Sequence, residues 1–219
     1  MEITIQLPDV KLGVLEADAL RVAPAGENLS RLMDDACNRK LREFTIESLA
    51  EAEPIRAVRA MFRAWDMDPS KYRPSSEALL RRIVHGKGLY RVNNVVDIGN
   101  VVSIETGWPL GCYDRTRIRT PIMFRHGTTS ESYEGIGKRT WHLAGRPVLA
   151  DPDGPFGSPI SDSTRSMITE TARDLLVVIY APAAGADTSL EQALSRLSER
   201  LVEFAGAAAT RFGVHVQHR

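Results

Sequence analysis

The run LLVVIY at residues 175–180 is the feature that most constrains the fold of this chain. Six consecutive apolar residues leave no polar face, so a strand formed by them must be covered on both sides. With 219 residues, the chain can bury such a core without disulfides or metals. We therefore expect one compact domain, residues 1–219, built around a central strand.

Four segments place apolar residues at helical spacing. Pro54 suits the first turn of the second segment, and Gly86 can end the third. The predicted helices begin near Asn28, at Pro54, at a capping Ser75 or Ser76, and at Ser189, whose capping box with Gln192 opens a helix that runs to Phe212 and stops at Gly213. Residues 181–187 are predicted to be a linker before the last helix.

Strand patterns lie on either side of the helical region. Alternation at residues 3–7 and 11–22 predicts an opening pair of strands around Pro8 and Asp9. Alternation returns at residues 118–124, and short strands are expected near Tyr133, Trp141 and Val148. Because strands and helices are segregated along the chain, the pattern predicts an α+β fold with sheets layered against helices.

Composition narrows the class of protein. The formal net charge is zero, and the two cysteines, Cys37 and Cys112, have no metal-binding spacing. No apolar run approaches the roughly 18 residues that a membrane span requires. We expect a cytoplasmic protein with no metal or cofactor and no membrane or DNA partner; the sequence does not predict its oligomeric state. Cys112 could be a nucleophile or a small buried hydrophobe.

The charge is unevenly distributed along the chain. Residues 54–91 contain nine basic and three acidic residues, whereas residues 1–53 contain six basic and eleven acidic ones. Such a basic segment is typical of a face that contacts an RNA backbone, and equally of solvated helices beside an acidic lobe. The candidate RNA-binding residues are Arg73, Arg81, Arg82, Lys87 and Arg91.

A polar stripe runs through the apolar segment at residues 93–105. At helical spacing Val95, Ile98 and Val102 share one side, while Asn93, Asp97 and Asn100 share another. The spacing predicts a helix, although the β-branched content leaves a strand open. A polar stripe on an apolar helix indicates either a site or a hydrogen-bond network.

These residues resemble the B3/B4 module, the editing domain of the phenylalanyl-tRNA synthetase β subunit. That module carries an Asn-Asn-Val-Val-Asp run, then a second Asn, a Glu, a Pro and an aromatic-Asp pair. The matching residues here are 93–97, Asn100, Glu105, Pro109 and the pair Tyr113-Asp114. Segments 68–83 and 151–180 are similar to the module's lead-in and second half. The resemblance therefore covers residues 68–180, after an N-terminal lobe at 1–66, and implies an α+β unit of two interleaved halves.

The resemblance implies hydrolysis of a mischarged aminoacyl ester on tRNA. That reaction needs a pocket for the amino acid and polar groups that position a water molecule, here Asp97 and Asn100. The substrate-binding residues would be Asn93, Asn94, Gly99, Gly111, Tyr113, Gly157, Ser158 and Val178. Gly157 and Ser158 belong to a serine-rich stretch at 157–165, which could instead be an ordinary polar loop.

Three positions depart from the module. The residue before its pocket Asn is Thr there and Gly99 here; its His before the aromatic is Gly111; its acidic residue that selects the tyrosine hydroxyl is Val178. A smaller, more apolar pocket favours an amino acid other than tyrosine.

Two functions remain open. The first is a stand-alone factor that binds tRNA or aminoacyl-tRNA and hydrolyses a mischarged ester in trans. The second is a noncatalytic module that binds RNA or a small ligand, in which Asp97 only holds backbone groups. Every site assignment requires residues 93–105 to lie beside the loop at 154–163.

Overall fold

The computed structural model describes residues 1, 3–184 and 187–217. Within them the chain forms an α+β fold of six α-helices and ten strands. The helices are α1 (Glu27–Glu43), α2 (Ile46–Leu49), α3 (Glu53–Ala64), α4 (Ser75–Val84), α5 (Asn94–Thr106) and α6 (Asp187–Ala205). The strands are β1 (Ile3–Ile5), β2 (Val10–Asp18), β3 (Leu110–Asp114), β4 (Ile122–His126), β5 (Ser132–Glu134), β6 (Thr140–His142), β7 (Pro147–Asp151), β8 (Gly154–Gly157), β9 (Leu175–Pro182) and β10 (Ala209–Val216).

Two four-stranded sheets form the centre of the fold. Sheet 1 has the order β1-β4-β7-β8, and sheet 2 has the order β10-β2-β9-β3; β5 and β6 form a separate hairpin. The expected opening strand pair is wrong, because β1 pairs with β4 in sheet 1 whereas β2 joins sheet 2. Since β2 is buried on both faces, it takes a central place between β10 and β9 rather than one in a local hairpin.

The predicted central strand is confirmed. Every residue of β9 is buried, and β9 lies between β2 and β3. Helices cover one face of sheet 2, where a Cβ atom at Gly13 would lie 2.6 Å from Cδ1 of Leu190 on α6. The other face meets sheet 1, where the ring centroids of Phe124 and Tyr180 are 5.3 Å apart. The core therefore fills both faces of sheet 2.

Helices α1, α3 and α4 lie where the spacing predicts. Pro54 stands in the first turn of α3, as expected for a residue without an N–H. The predicted serine cap of α4 is wrong: Pro74 occupies the N-cap position, Ser75 already belongs to the helix, and Ser76 is buried. Serine is usually favoured as an N-cap, but here the N-cap is Pro74, whose backbone angle φ is fixed by its ring.

Helix α5 settles the open choice between helix and strand. The side chain of Asn93 accepts a hydrogen bond from the N–H of Val96 at 3.0 Å, and Gly107 ends the helix with φ 76°. Most of the helix is buried, packed against α1, α4, α6 and β3. That burial outweighs the weak helix propensity of its β-branched residues.

The predicted helix at residues 189–212 is wrong at both ends. Helix α6 begins at Asp187, so Ser189 lies inside it, and it stops before Gly206, which has φ 63°. The chain then forms β10, where Gly213 pairs with Val14 of β2. Gly206, not Gly213, supplies the left-handed residue that ends the helix, and the β-branched and aromatic residues after it favour a strand.

Strands β3 and β8 are absent from the sequence prediction, which expected a turn and a loop there. The predicted linker is also largely replaced. Residues 181–182 belong to β9, and residues 185–186 lie outside the described part of the chain.

Candidate functional site

The two asparagines at the start of α5 form hydrogen bonds within the protein. Asn93 caps the helix, and Asn94 is 4% exposed. Asn94 accepts the N–H of Ala23 at 3.0 Å and donates to the carbonyls of Arg21 and Phe204, each at 2.9 Å. Because both polar atoms of its amide are occupied, Asn94 ties three segments together and leaves little for a substrate.

Asp97 lies fully buried in the first turn of α5. Its Oδ1 accepts the N–H of Val92 at 3.0 Å, whereas Oδ2 has no hydrogen-bond partner. Burial raises the pKa of this carboxyl, and the Val92 N–H and the charge of Arg91 act in the opposite direction. One oxygen therefore supports the backbone and the other is uncommitted.

Asn100 follows Asp97 by one turn and is half-buried, and its side chain forms no hydrogen bond to the described residues. Its neighbour Gly99 lets α5 approach β3. A Cβ atom at Gly99 would lie 2.8 Å from Sγ of Cys112 and 3.0 Å from Cδ2 of Leu110. A threonine would not fit at this position without a shift, so the glycine reflects close packing of helix on strand.

Gly111 and Val178 lie directly opposite each other on β3 and β9. The phenol of Tyr113 occupies the space above Gly111: a Cβ atom there would lie 2.0 Å from the Tyr113 Oη. A Cβ atom at Gly157 would lie 2.4 Å from the same oxygen. Neither glycine can gain a side chain while Tyr113 keeps this position. The chain therefore fills with its own tyrosine the space that the resemblance assigns to a histidine.

An acid that the sequence analysis missed, Asp162, binds this phenol. Tyr113 donates to Oδ1 of Asp162 at 2.9 Å and lies 3.1 Å from the hydroxyl of Tyr180. The N–H of Ser158 donates to the same carboxyl oxygen at 3.1 Å. Burial raises the pKa of Asp162 to about 7, although the two donors lower it. One feature of the sequence pointed to this residue: it is an acid within the serine-rich stretch at 157–165.

The predicted site residues are divided between the two faces of sheet 2. Cys112 points toward α5, whereas Tyr113 points toward sheet 1, where its ring meets that of Phe156 at 5.1 Å. Helix α5 and β8 are not among the elements that pack closely together. The loop after β8 reaches β3 through Asp162 and Tyr113 instead. Residues 93–105 and 154–163 are thus linked through the edge strand β3, which packs against α5 and whose Tyr113 binds Asp162.

Both cysteines are free. Burial raises the pKa of the Cys112 thiol, and also that of Cys37, which keeps both protonated at neutral pH. This favours the interpretation of Cys112 as a small buried hydrophobe. Across residues 1, 3–184 and 187–217 no His, Cys, Asp and Glu cluster could hold a metal ion, and no helix there is long and apolar enough to span a membrane.

Three arginine side chains surround the buried carboxylate of Glu77, two of them from residues 73–81. Glu77 is fully buried and accepts Arg59 at 2.7 and 2.8 Å and Arg81 at 2.8 Å, with Arg73 at 3.7 Å. Burial raises the pKa of Glu77, but the hydrogen bonds and charges of Arg59 and Arg81 outweigh it, so the pKa is lowered. Two predicted RNA-binding arginines are therefore committed to a structural ion pair.

The remaining predicted RNA-binding residues differ in their partners. Arg91 pairs with Asp34 on α1. The guanidinium of Arg82 stacks 3.9 Å from the ring centroid of Tyr90. Lys87 is exposed and forms no ion pair with any described residue. Of the five predicted residues, Arg82 and Lys87 keep a positive charge without a carboxylate partner.

Two cavities lie at the ends of α5. The first, of about 590 Å³, is bordered by Asn93 and Glu170. The second, of about 530 Å³, is bordered by Glu105, Trp108 and Arg196. Each has polar and apolar lining residues, so each has room for a small polar ligand.

The family model for the B3/4 domain matches residues 57–211, and the chain belongs to this family.

Curated relatives are phenylalanine–tRNA ligase beta subunits. That of Thermobifida fusca (strain YX) is 31% identical over 128 residues, which cover 57% of this chain and 15% of the relative. That of Symbiobacterium thermophilum is 32% identical over 104 residues, which cover 42% of this chain and 12% of the relative. The match thus spans only a small part of these relatives.

A solved structure similar to this chain is that of an N-terminal fragment of the phenylalanyl-tRNA synthetase beta subunit from Pyrococcus horikoshii. It aligns with a TM-score of 0.44 at 13% identity, covering 98% of this chain and 50% of that chain.

Proposed function

We propose that this protein binds tRNA or aminoacyl-tRNA. The observation that carries the proposal is its membership of the B3/4 domain family, together with its similarity to part of the phenylalanine–tRNA ligase beta subunits. An enzyme that joins phenylalanine to tRNA has tRNA as a substrate. A module shared with such enzymes is well suited to contact the same molecule.

Fluorescence anisotropy with labelled tRNA tests this proposal. Phosphate contacts make such binding depend on salt, so the affinity should fall at least tenfold between about 50 and 200 mM salt. A DNA duplex of similar charge serves as the control and should bind more weakly. No saturable tRNA binding at low salt, or equal affinity for the DNA, would contradict the proposal.

Hydrolysis of a mischarged aminoacyl ester is a second candidate function. It is favoured by one observation: Oδ2 of Asp97 and the amide of Asn100 both lack hydrogen-bond partners, three residues apart on α5. Groups at that spacing are neighbours on a helix surface. In this interpretation the half-buried Asn100 contacts the attacking water and the buried Asp97 orients it from behind.

A panel of mischarged tRNAs, followed for loss of the amino acid, tests hydrolysis. The panel should run from small and apolar amino acids to tyrosine, because Gly99 packs on Cys112 and Tyr113 fills the space at Gly111, which leaves no assigned partner for a phenol hydroxyl. Asn100→Ala and Asp97→Asn should each slow the reaction by roughly ten- to a thousandfold. Asn38→Ala, at an exposed position on α1, is the matched control and should have no effect. Cleavage of no ester above its spontaneous rate would exclude hydrolysis and leave the binding proposal intact.

A further inference from the structure

Cations and aromatic rings alternate along a surface formed by the β5–β6 hairpin and the segment before α4. Lys71 Nζ lies 5.3 Å from the ring centroid of Tyr72. The guanidinium of Arg146 lies 4.4 Å from Tyr72 and 5.5 Å from Trp141, and that of Arg139 lies 4.8 Å from Trp141. We call these five residues the cation–aromatic ladder.

The cations of the ladder form no close ion pairs, although the charge of Lys71 helps to lower the pKa of Asp68 nearby. Lys71, Arg139 and Arg146 form no ion pair with any residue that the structure describes. Arg125, by contrast, lies close by in the chain and is neutralised by Glu131 at 2.7 Å. The ladder therefore carries three cations without a close carboxylate, and Arg82 and Lys87 are further cations of this kind.

The single acidic residue of β5 lies on the other side of the hairpin. Glu134 pairs with Thr140, and successive side chains of a strand point to opposite faces, so Glu134 points away from the face that carries Trp141. Lys138, exposed in the connecting turn, adds another positive charge. This face is positive although the net charge of the chain is zero.

Packing accounts for the middle of the ladder but not for its ends. Arg146 is half-buried and donates to the Tyr72 hydroxyl at 3.2 Å, which joins the hairpin to the segment before α4. Lys71 and Arg139, at the two ends, are exposed. Trp141 is half-buried, and the exposed Arg139 lies 4.8 Å from its ring centroid.

Aromatic rings interleaved with free cations match the chemistry of single-stranded RNA. Unpaired bases stack on aromatic rings and on guanidinium planes, and phosphates pair with lysine and arginine. We propose that the cation–aromatic ladder docks a single-stranded RNA segment, such as the unpaired end of a tRNA. The inference rests on the proposed function for the source of that RNA, and it moves the contact surface away from residues 73–91.

Trp141 provides a direct readout of docking. The other two tryptophans, Trp65 and Trp108, are buried, so base stacking should quench the fluorescence of Trp141. A short single-stranded oligoribonucleotide should quench more strongly than an RNA duplex of the same sequence. Trp141→Leu should abolish the quenching.

Paired charge reversals locate the surface. Lys71→Glu combined with Arg139→Glu should weaken binding of the oligoribonucleotide at least tenfold and lower the salt slope by about 1.4, or 0.7 for each lost contact. Arg82→Glu combined with Lys87→Glu makes the same change of charge at two residues of the competing surface, residues 73–91, and should weaken binding less than the first pair does. Anisotropy measures both, and circular dichroism checks that both variants fold.

The outcomes separate the two proposals. Equal losses in the two double variants, or a larger loss in R82E/K87E, would overturn the ladder as the docking surface. A protein that binds tRNA but shows neither quenching nor sensitivity to K71E/R139E refutes the ladder and leaves the proposed function standing. Quenching that K71E/R139E removes, in a protein that binds no tRNA, supports the ladder and refutes the proposed function.

Discussion

The hydroxyl of Tyr113 donates a hydrogen bond to the buried carboxyl of Asp162, whose pKa lies at about 7 instead of 3.8. The folded chain therefore keeps this proton over a pH range in which the unfolded chain has lost it. The sign follows: the free energy of unfolding falls as pH rises from about 4 to about 7. A pKa difference of about three corresponds to roughly 4 kcal/mol.

Asp162→Asn should remove this pH dependence while keeping an oxygen that accepts from Tyr113. The wild type should lose stability between about pH 5 and 8, whereas the variant should change less and be the more stable protein at about pH 8. Urea unfolding at both values measures the difference. Asp153→Asn, in an exposed pair with Arg119, should retain the wild-type slope. Parallel slopes for wild type and Asp162→Asn would contradict the assignment.

Gly111→Ala should destabilise the fold, because the added methyl group would overlap the phenol of Tyr113 at 2.0 Å. Overpacking of this kind costs about 1–3 kcal/mol or more. Gly137 is the matched control, since a Cβ atom there meets nothing within 4 Å. Chemical denaturation should show a lower midpoint for Gly111→Ala and little change for Gly137→Ala. Equal midpoints would mean that Tyr113 moves aside freely.

Glu77→Gln should be strongly destabilising. The substitution leaves Arg59 and Arg81 around an uncharged, buried group, and breaking a buried ion pair costs about 3–5 kcal/mol. Glu27→Gln, which breaks the exposed pair with Arg31, should cost no more than about 0.5 kcal/mol. Thermal unfolding compares the two variants. Similar melting temperatures would show that the Glu77 cluster is worth no more than a surface pair.

Local signals in the sequence were sufficient for some elements. The apolar run of β9 has no polar face and was enough to predict a buried strand. For α5 the spacing predicted a helix but left a strand open, and the structure decides for the helix, with Asn93 as its cap and Gly107 at its end. The errors occurred where two structures share one local pattern. Residues 209–212 fall within the predicted helix yet belong to β10, because their partner is the distant β2. Pairing between remote strands leaves no mark in a short window of sequence.

The site was harder to predict than the fold. Counting charges identified Arg73, Arg81 and Arg91 as a basic surface, but a count does not distinguish a paired cation from a free one. Asp162 was missed because the pKa of its carboxyl is raised by burial, and burial depends on tertiary contacts that a sequence pattern does not show. Gly111 was read as a lost functional group, whereas the space above it belongs to Tyr113.

The pairing of β10 with β2 also bears on how the chain is made. Residues 10–18 pair with strands whose partner residues lie at 175–182 and 209–216. Contacts so distant in sequence fold slowly, since the intervening chain must first be closed into a loop. During synthesis the apolar strand β2 remains unpaired until β9 and β10 have left the ribosome. Sheet 2 is therefore completed after most of the chain has been translated, and until then β2 lacks the strands that cover its two edges, a condition that favours aggregation.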